Sequence, residues 1–356
     1  MNPVRATVMT VALLLSPPVL ADPIQPLDVA PALAELGKRI FYDVRLSGDT
    51  TPSCAPCHQP DKAFTDGEAL SAAYTGAGHF RNAPTLANVG HRAAWMHDGR
   101  LGTNLNDVAR EMITETCLMN MDMRIMQERM KQDPVYVAMF KSAGMSEPSN
   151  GGARNALQAF MQTITSTGAP VDTGEMSAAA LRGQGLFEGK AGCAACHSGE
   201  RYTDDQPYNT GVPDNPEIWA DPARHSAFVT YAKFMGVENY MNLRRDLGAY
   251  VRTHEAGTER TFLTPTLREL IWTAPYMHNG TMATLEEVVD FYNAGGGADP
   301  LKDPRLEPLG LVPSEKADLV AFLQALSGAS FDTDAYVWRA DDYAYELIAD
   351  WRNVQN

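Results

Sequence analysis

The sequence predicts a mainly α-helical chain built from two related domains, and three observations carry that reading. A Cys-x-x-Cys-His motif occurs twice, at Cys54-Ala55-Pro56-Cys57-His58 and at Cys193-Ala194-Ala195-Cys196-His197. A longer repeat follows each motif: Ala83-Pro84-Thr85-Leu86 through Trp95-Met96-His97-Asp98-Gly99 matches Thr264-Pro265-Thr266-Leu267 through Tyr276-Met277-His278-Asn279-Gly280, at a constant offset of 181 residues. β-branched runs are few, while glycine (28) and proline (23) are frequent among the 356 residues, which favours short helices joined by long ordered loops.

The chain opens with one positive charge, Arg5, then an apolar run from Ala6 to Leu15, a Ser16-Pro17-Pro18 break and the small residues before Ala21. This is the pattern of a secretory signal peptide spanning residues 1–21. The apolar run is too short to span a bilayer, and no later segment is long enough, so a soluble exported, periplasmic protein without stable membrane insertion is expected. A formal charge of −15 argues against nucleic acid as a partner. It suits either attraction of a basic partner protein or simple solubility.

In an exported protein the first reading of five cysteines would be disulfides. The spacing argues otherwise, because Cys-x-x-Cys-His is the attachment motif of c-type haem. Two thiols add across the two vinyl groups of one porphyrin, and the adjacent histidine is brought under the iron as its proximal ligand. Two covalent haems are therefore expected, one on Cys54, Cys57 and His58 and one on Cys193, Cys196 and His197. The expected fold is accordingly two cytochrome c-like domains related by duplication.

Each motif follows a helix with a shared pattern, Leu36-Gly37-Lys38-Arg39-Ile40-Phe41 in the first half and Leu181-Arg182-Gly183-Gln184-Gly185-Leu186-Phe187 in the second. The motifs themselves are offset by 139 residues, so the loop between motif and repeat is longer in the second half. Residues 153–160 read as the helix closing the first domain after a looser stretch, 144–152. Lys316 to Leu326 is an amphipathic helix closing the second. The boundary falls near Thr167-Gly168-Ala169-Pro170, giving domains 22–168 and 169–330. The acidic tail 331–356 carries Tyr and Trp residues and is expected to dock rather than float.

In combination, the two motifs, Arg81-Asn82-Ala83-Pro84-Thr85-Leu86, His97-Asp98-Gly99-Arg100 and Thr264 to Val288 resemble the bacterial di-haem cytochrome c peroxidase superfamily, which includes the MauG-type enzymes. The resemblance covers roughly residues 36–328. It implies a low-spin C-terminal haem held by His197 and by a residue fourteen positions beyond His278, which is Tyr292. Conventional peroxidases carry methionine there and MauG-type enzymes tyrosine. A thioether stabilises ferrous iron, whereas an anionic phenolate favours ferric iron and above.

The resemblance further implies that the N-terminal haem is the peroxide site, with a glutamate as acid–base group on the segment after the Asp-Gly-Arg motif. Glu115 is the first choice and Glu111 the second, since the family register itself falls near Leu118. The family's inter-haem tryptophan corresponds to His97, while a tryptophan stands at Trp95; either could couple the haems. His79 is either a removable cap on the N-terminal iron or a loop histidine without a metal role. A calcium ion between the haems would take Asn82, Thr273 and Pro275, whose amide and carbonyl oxygens are the hard donors this ion prefers. Met96 and Met277 are expected in the core, and Cys117 is left over once both haems are attached. Three functions stay open: a MauG-type oxidase driven by hydrogen peroxide and acting on a partner protein or reductant, a peroxidase fed by a small cytochrome or cupredoxin, and an electron carrier.

Overall fold

The computed structural model describes residues 23–74, 77–102, 104–329, 331 and 333–338. The expected signal peptide lies outside them, as does most of the tail. No helix among the described residues is long and apolar enough to cross a membrane.

The first half is formed by α1 (Pro31–Tyr42), α2 (Leu105–Thr114), α3 (Met123–Lys131), α4 (Pro134–Ser142) and α5 (Asn150–Gln162). The second begins with the short α6 (Pro170–Thr173) and α7 (Ala178–Glu188). Its long insertion holds α8 (Glu217–Ala220), α9 (Pro222–Phe234) and α10 (Tyr250–Thr253), and it closes with α11 (Leu285–Asn293) and α12 (Pro313–Gln324). A last turn, α13 (Thr333–Tyr336), follows. Among the described residues the sheet content is one antiparallel pair, β1 (Pro207–Tyr208) against β2 (Phe262–Leu263).

Local chemistry sets the helix starts. Pro31 and Pro313 occupy the first turns of α1 and α12, where the missing N–H has no intrahelical partner to lose. Ser149 Oγ accepts the N–H of Gly152 and Ser177 Oγ that of Ala180, capping α5 and α7. The Ser149 cap is why residues 150–152, expected in the looser stretch, are helical. Pro313 likewise starts the last long helix three residues before the expected Lys316.

Each half is organised by a crossing of its first and last long helices, α1 with α5 and α7 with α12. A methyl on Gly37 would lie 1.9 Å from the Ala156 carbonyl oxygen, and one on Gly183 would lie 1.9 Å from that of Asp318. At each crossing a phenylalanine pair stands four residues further along, Phe41 with Phe160 and Phe187 with Phe322, both with centroids 5.1 Å apart and ring planes at 60° and 62°. The two halves thus repeat one packing geometry.

The repeat extends to the connecting loops. Asn88 Oδ1 accepts the N–H of Ser166 at 2.9 Å, and its counterpart Glu269 accepts the N–H of Gly328 at 3.2 Å. Near the expected boundary, Ala169 and Val171 are fully buried in the second half's core. Phe331 instead packs into the first half's core, with Tyr336 beside it, so the chain's end crosses back over the boundary. Because the carbonyls of Ala156 and Asp318 cannot yield as a flexible side chain would, Gly183→Ala should destabilise the protein by about 1–3 kcal/mol or more. Thermal unfolding of the two-haem protein checks this, with Gly37→Ala expected to match it.

Candidate haem sites

Both proximal histidines are oriented in the same way. His58 Nδ1 donates to the Phe64 carbonyl at 2.8 Å, and His197 Nδ1 to the Tyr202 carbonyl at 2.9 Å. A proton held on Nδ1 leaves the Nε2 lone pair for a metal. The accepting residues sit in the left-handed region, Phe64 at φ 61° and Tyr202 at φ 53°, which turns their carbonyls toward the histidines. Thr85 and its repeat counterpart Thr266 secure these turns by donating their hydroxyls to the carbonyls of Ala63 and Arg201.

The cysteines of both motifs are half-buried and form no disulfide with one another. Burial pushes the Cys54 thiol up to about 12 and the Cys193 thiol up to about 11. Cys193, Cys196 and His197 line a cavity of about 390 Å³ that also receives Tyr292, Leu285, Val289 and Leu323. That volume and its largely apolar walls fit a bound cofactor.

Tyr292 reaches the cavity from the last turn of α11. The start of that helix is fixed by a reciprocal cap: Thr284 Oγ1 accepts the N–H of Glu287, while Glu287 Oε2 accepts that of Thr284. Its end is tied to the loop that leads into α12 by Asn293, whose Oδ1 accepts the Leu311 N–H at 2.8 Å. Withdrawal from solvent pushes the Tyr292 phenol up to about 12, against a lowering contribution from the side chain of Thr210.

The same cavity runs to the seam between the halves, where Asn82, Met96, His97, Thr273 and Pro275 join its lining. Asn82 is the pivot of this seam. Its backbone N–H donates to His278 O at 3.1 Å, and its amide donates to Pro275 O at 3.2 Å and Met277 O at 2.7 Å. His97 Nε2 donates back to the Asn82 carbonyl at 3.1 Å, and its ring lies 6.4 Å from that of His278. Met96 and Met277, expected in the core, line the cavity instead, both with left-handed backbones (φ 67° and 70°).

Trp95 occupies a different place. It is buried in the first half's core, and its indole N–H donates to the Val89 carbonyl. Its repeat counterpart Tyr276 makes the matching bond to the Leu270 carbonyl. Trp95 therefore holds a loop that recurs in both halves, whereas His97 lies at the seam.

Behind the seam is a buried charge cluster that sequence reasoning did not assemble. The Arg81 guanidinium is 1% exposed and forks onto Asp246 at 2.6 and 2.7 Å. It also reaches Asp98 at 2.6 Å, which accepts the Tyr231 hydroxyl at 2.5 Å and pairs with Arg100 at 3.2 Å. Burial opposes charging Asp98, but Arg81 and Arg100 hold its carboxyl well below the usual range. Tyr231 and Asp246 come from the insertion of the second half, so the cluster stitches the halves together beside Asn82 and His97.

The remaining candidates are local. Glu115 ends α2, and its carboxylate accepts from the Thr116 hydroxyl and the Cys117 N–H; Glu111 lies one turn earlier. Cys117 packs beside Leu70, Phe80 and Phe228. His79 Nδ1 accepts the Arg81 N–H at 3.1 Å, its ring stacks on Phe80, and burial pushes it down to about 3.

A duplicated helical fold whose halves each orient a Cys-x-x-Cys-His histidine defines a two-haem cytochrome of the c type. The family model for di-haem cytochrome c peroxidase matches residues 31–178. The chain is 46% identical over 303 residues to "Cytochrome-c peroxidase IdrP2" of Denitromonas iodatirespirans, covering 83% of this chain and 82% of that one. It is 35% identical to "Methylamine utilization protein MauG" of Methylorubrum extorquens, over 86% of this chain and 80% of the relative. The crystal structure of a MauG-like protein associated with microbial copper homeostasis superposes with a TM-score of 0.73 at 29% identity, covering 89% of this chain and 96% of that one. The chain belongs to the di-haem cytochrome c peroxidase/MauG family and is a haem-dependent oxidoreductase with two haem cofactors.

The charge cluster carries a prediction. Asp98→Asn leaves a buried guanidinium short of one carboxylate and should destabilise the protein by about 3–5 kcal/mol in urea unfolding. Because the carboxyl is depressed in the folded protein, this stability is present above the ordinary carboxylate range and is lost as pH falls through the native value.

Proposed function

We propose that the chain is a periplasmic enzyme that uses hydrogen peroxide at the N-terminal haem and passes oxidising equivalents, through a second haem held by His197 and Tyr292, to a partner protein or reductant. One observation carries this reading: Tyr292 lines the same cavity as Cys193, Cys196 and His197. Bound haem iron supplies the redox chemistry. The residues would supply attachment and control: Cys54 and Cys57, with Cys193 and Cys196, would hold the two porphyrins, and His58 and His197 would bind the irons. Glu115, with Glu111 as second choice, takes the proton of the incoming peroxide and returns it to the departing oxygen. His97, at the seam between the halves, would lie between the two haems.

The chemistry of Tyr292 favours an oxidase of MauG type. A phenol whose pKa is pushed up to about 12 stays protonated unless a strongly charged metal draws the proton off, and ferric iron does so more readily than ferrous. A phenolate held by that haem would depress its potential, where a thioether would raise it. A second reading, a peroxidase supplied with electrons by a small cytochrome or cupredoxin, is favoured by the name of the relative at 46% identity. A formal charge of −15 suits a basic partner in either case.

Peroxide added to the fully ferric protein separates the two. The MauG-type reading expects reaction without prior reduction, with absorbance changes at both haems. Tyr292→His should keep both haems by pyridine haemochrome assay yet remove the change at the C-terminal haem. Ferric protein that stays inert until half-reduced would overturn this reading in favour of the second.

A calcium ion at the seam is proposed on Asn82, Thr273 and Pro275. Asn82 already bonds to the Pro275 carbonyl, and turning its amide over would present an oxygen instead. Chelation should perturb both haem spectra and slow transfer between them, and Asn82→Ala should abolish stoichiometric calcium in metal analysis.

A further inference from the structure

We infer that the C-terminal segment around Phe331 and Tyr336 is a positioning element for the N-terminal haem, acting through Phe64 on the proximal ligand His58. The inference goes beyond the proposed reading and does not depend on Tyr292. Phe64 carries the carbonyl that accepts the His58 Nδ1 proton at 2.8 Å. It and its neighbour Ala63 are both left-handed, at φ 61° and 48°. Non-glycine residues stay in such a conformation only where their surroundings impose it.

Thr85 secures the turn through the Ala63 carbonyl, and the chain's far end packs against the Phe64 ring itself. The Phe64 ring meets Phe331 edge-on at 5.5 Å and Tyr336 at 5.3 Å, both closer than Phe41 at 6.5 Å. The segment is anchored to the first half by two further bonds. The Tyr336 hydroxyl donates to the Thr163 carbonyl at 2.9 Å, and Lys38 Nζ donates to the Ala335 carbonyl at 2.7 Å.

The second half provides an internal control. Its accepting residue, Tyr202, is held by Phe187 and Phe322 of its own crossing helices at 6.0 and 6.1 Å. The two proximal histidines thus have matching hydrogen bonds with different supports, and among the described residues only the N-terminal one leans on the chain's end. The bond to the other ring nitrogen sets how strongly a histidine donates to its metal, so moving Phe64 changes the electronic state of that iron.

The test is a full-length, two-haem protein carrying Phe331→Leu and Tyr336→Leu, which keep bulk but remove the ring edges. EPR and redox titration should show altered ferric signals and a shifted midpoint potential for the N-terminal haem alone, with peroxide reaction slowed about 10-fold. Tyr336→Phe keeps the ring and should retain the wild-type signals. Unchanged signals at both haems, or equal changes at both, would overturn the inference. Should the double variant fail to hold two haems, single Phe331→Leu is judged by the same comparison.

Discussion

Two glycines let two pairs of helices touch backbone to backbone. At Gly37 and Gly183 the first helix of each half presses against a carbonyl of the last, with no room for a methyl. The packing beside both proximal histidines is built on that contact. It sets the phenylalanine pair beside each crossing, and in the second half that pair grips the ring of Tyr202 directly. The accepting residue in turn directs its carbonyl at the histidine. A hydrogen atom in place of a side chain, two helices away, thus helps set which imidazole nitrogen is free for a metal.

The halves share this plan and diverge where they meet. At matching positions one carries Asp98 and the other Asn279. The aspartate completes the cluster round Arg81, while Asn279 donates its amide to the Pro213 carbonyl. The charge sits on one side of the seam, next to the loop that holds Asn82 and His97. A buried guanidinium with two carboxylates tolerates little displacement, since each group left alone would keep an uncompensated charge out of water. That intolerance makes the seam a rigid place from which to present His97 and Asn82.

Much of this was legible in the sequence because duplication writes each feature twice. The Cys-x-x-Cys-His motifs, the Gly-to-Phe spacing before them and the offset of 181 residues each point to a site on their own. The family resemblance, with its register from His278, led to Tyr292 without coordinates. What stayed hidden was pairing across the insertion. Asp246 and Tyr231 lie in a stretch with no counterpart in the first half, and nothing in their local pattern names Arg81 as partner. Trp95 and His97 were likewise inseparable in sequence, being two residues apart; the indole's bond to Val89, mirrored by Tyr276 on Leu270, tells them apart. The aromatic tail announced that it docks, but not that it returns to the first half.

That return has a consequence for how the molecule is made. A chain grows from its N-terminus, so the first half is complete in length long before Phe331 and Tyr336 exist. Until they arrive, its core lacks two of the rings that bear on Phe64. Residues 22–168 by themselves therefore lack part of the packing round Phe64, the residue whose carbonyl accepts the His58 proton.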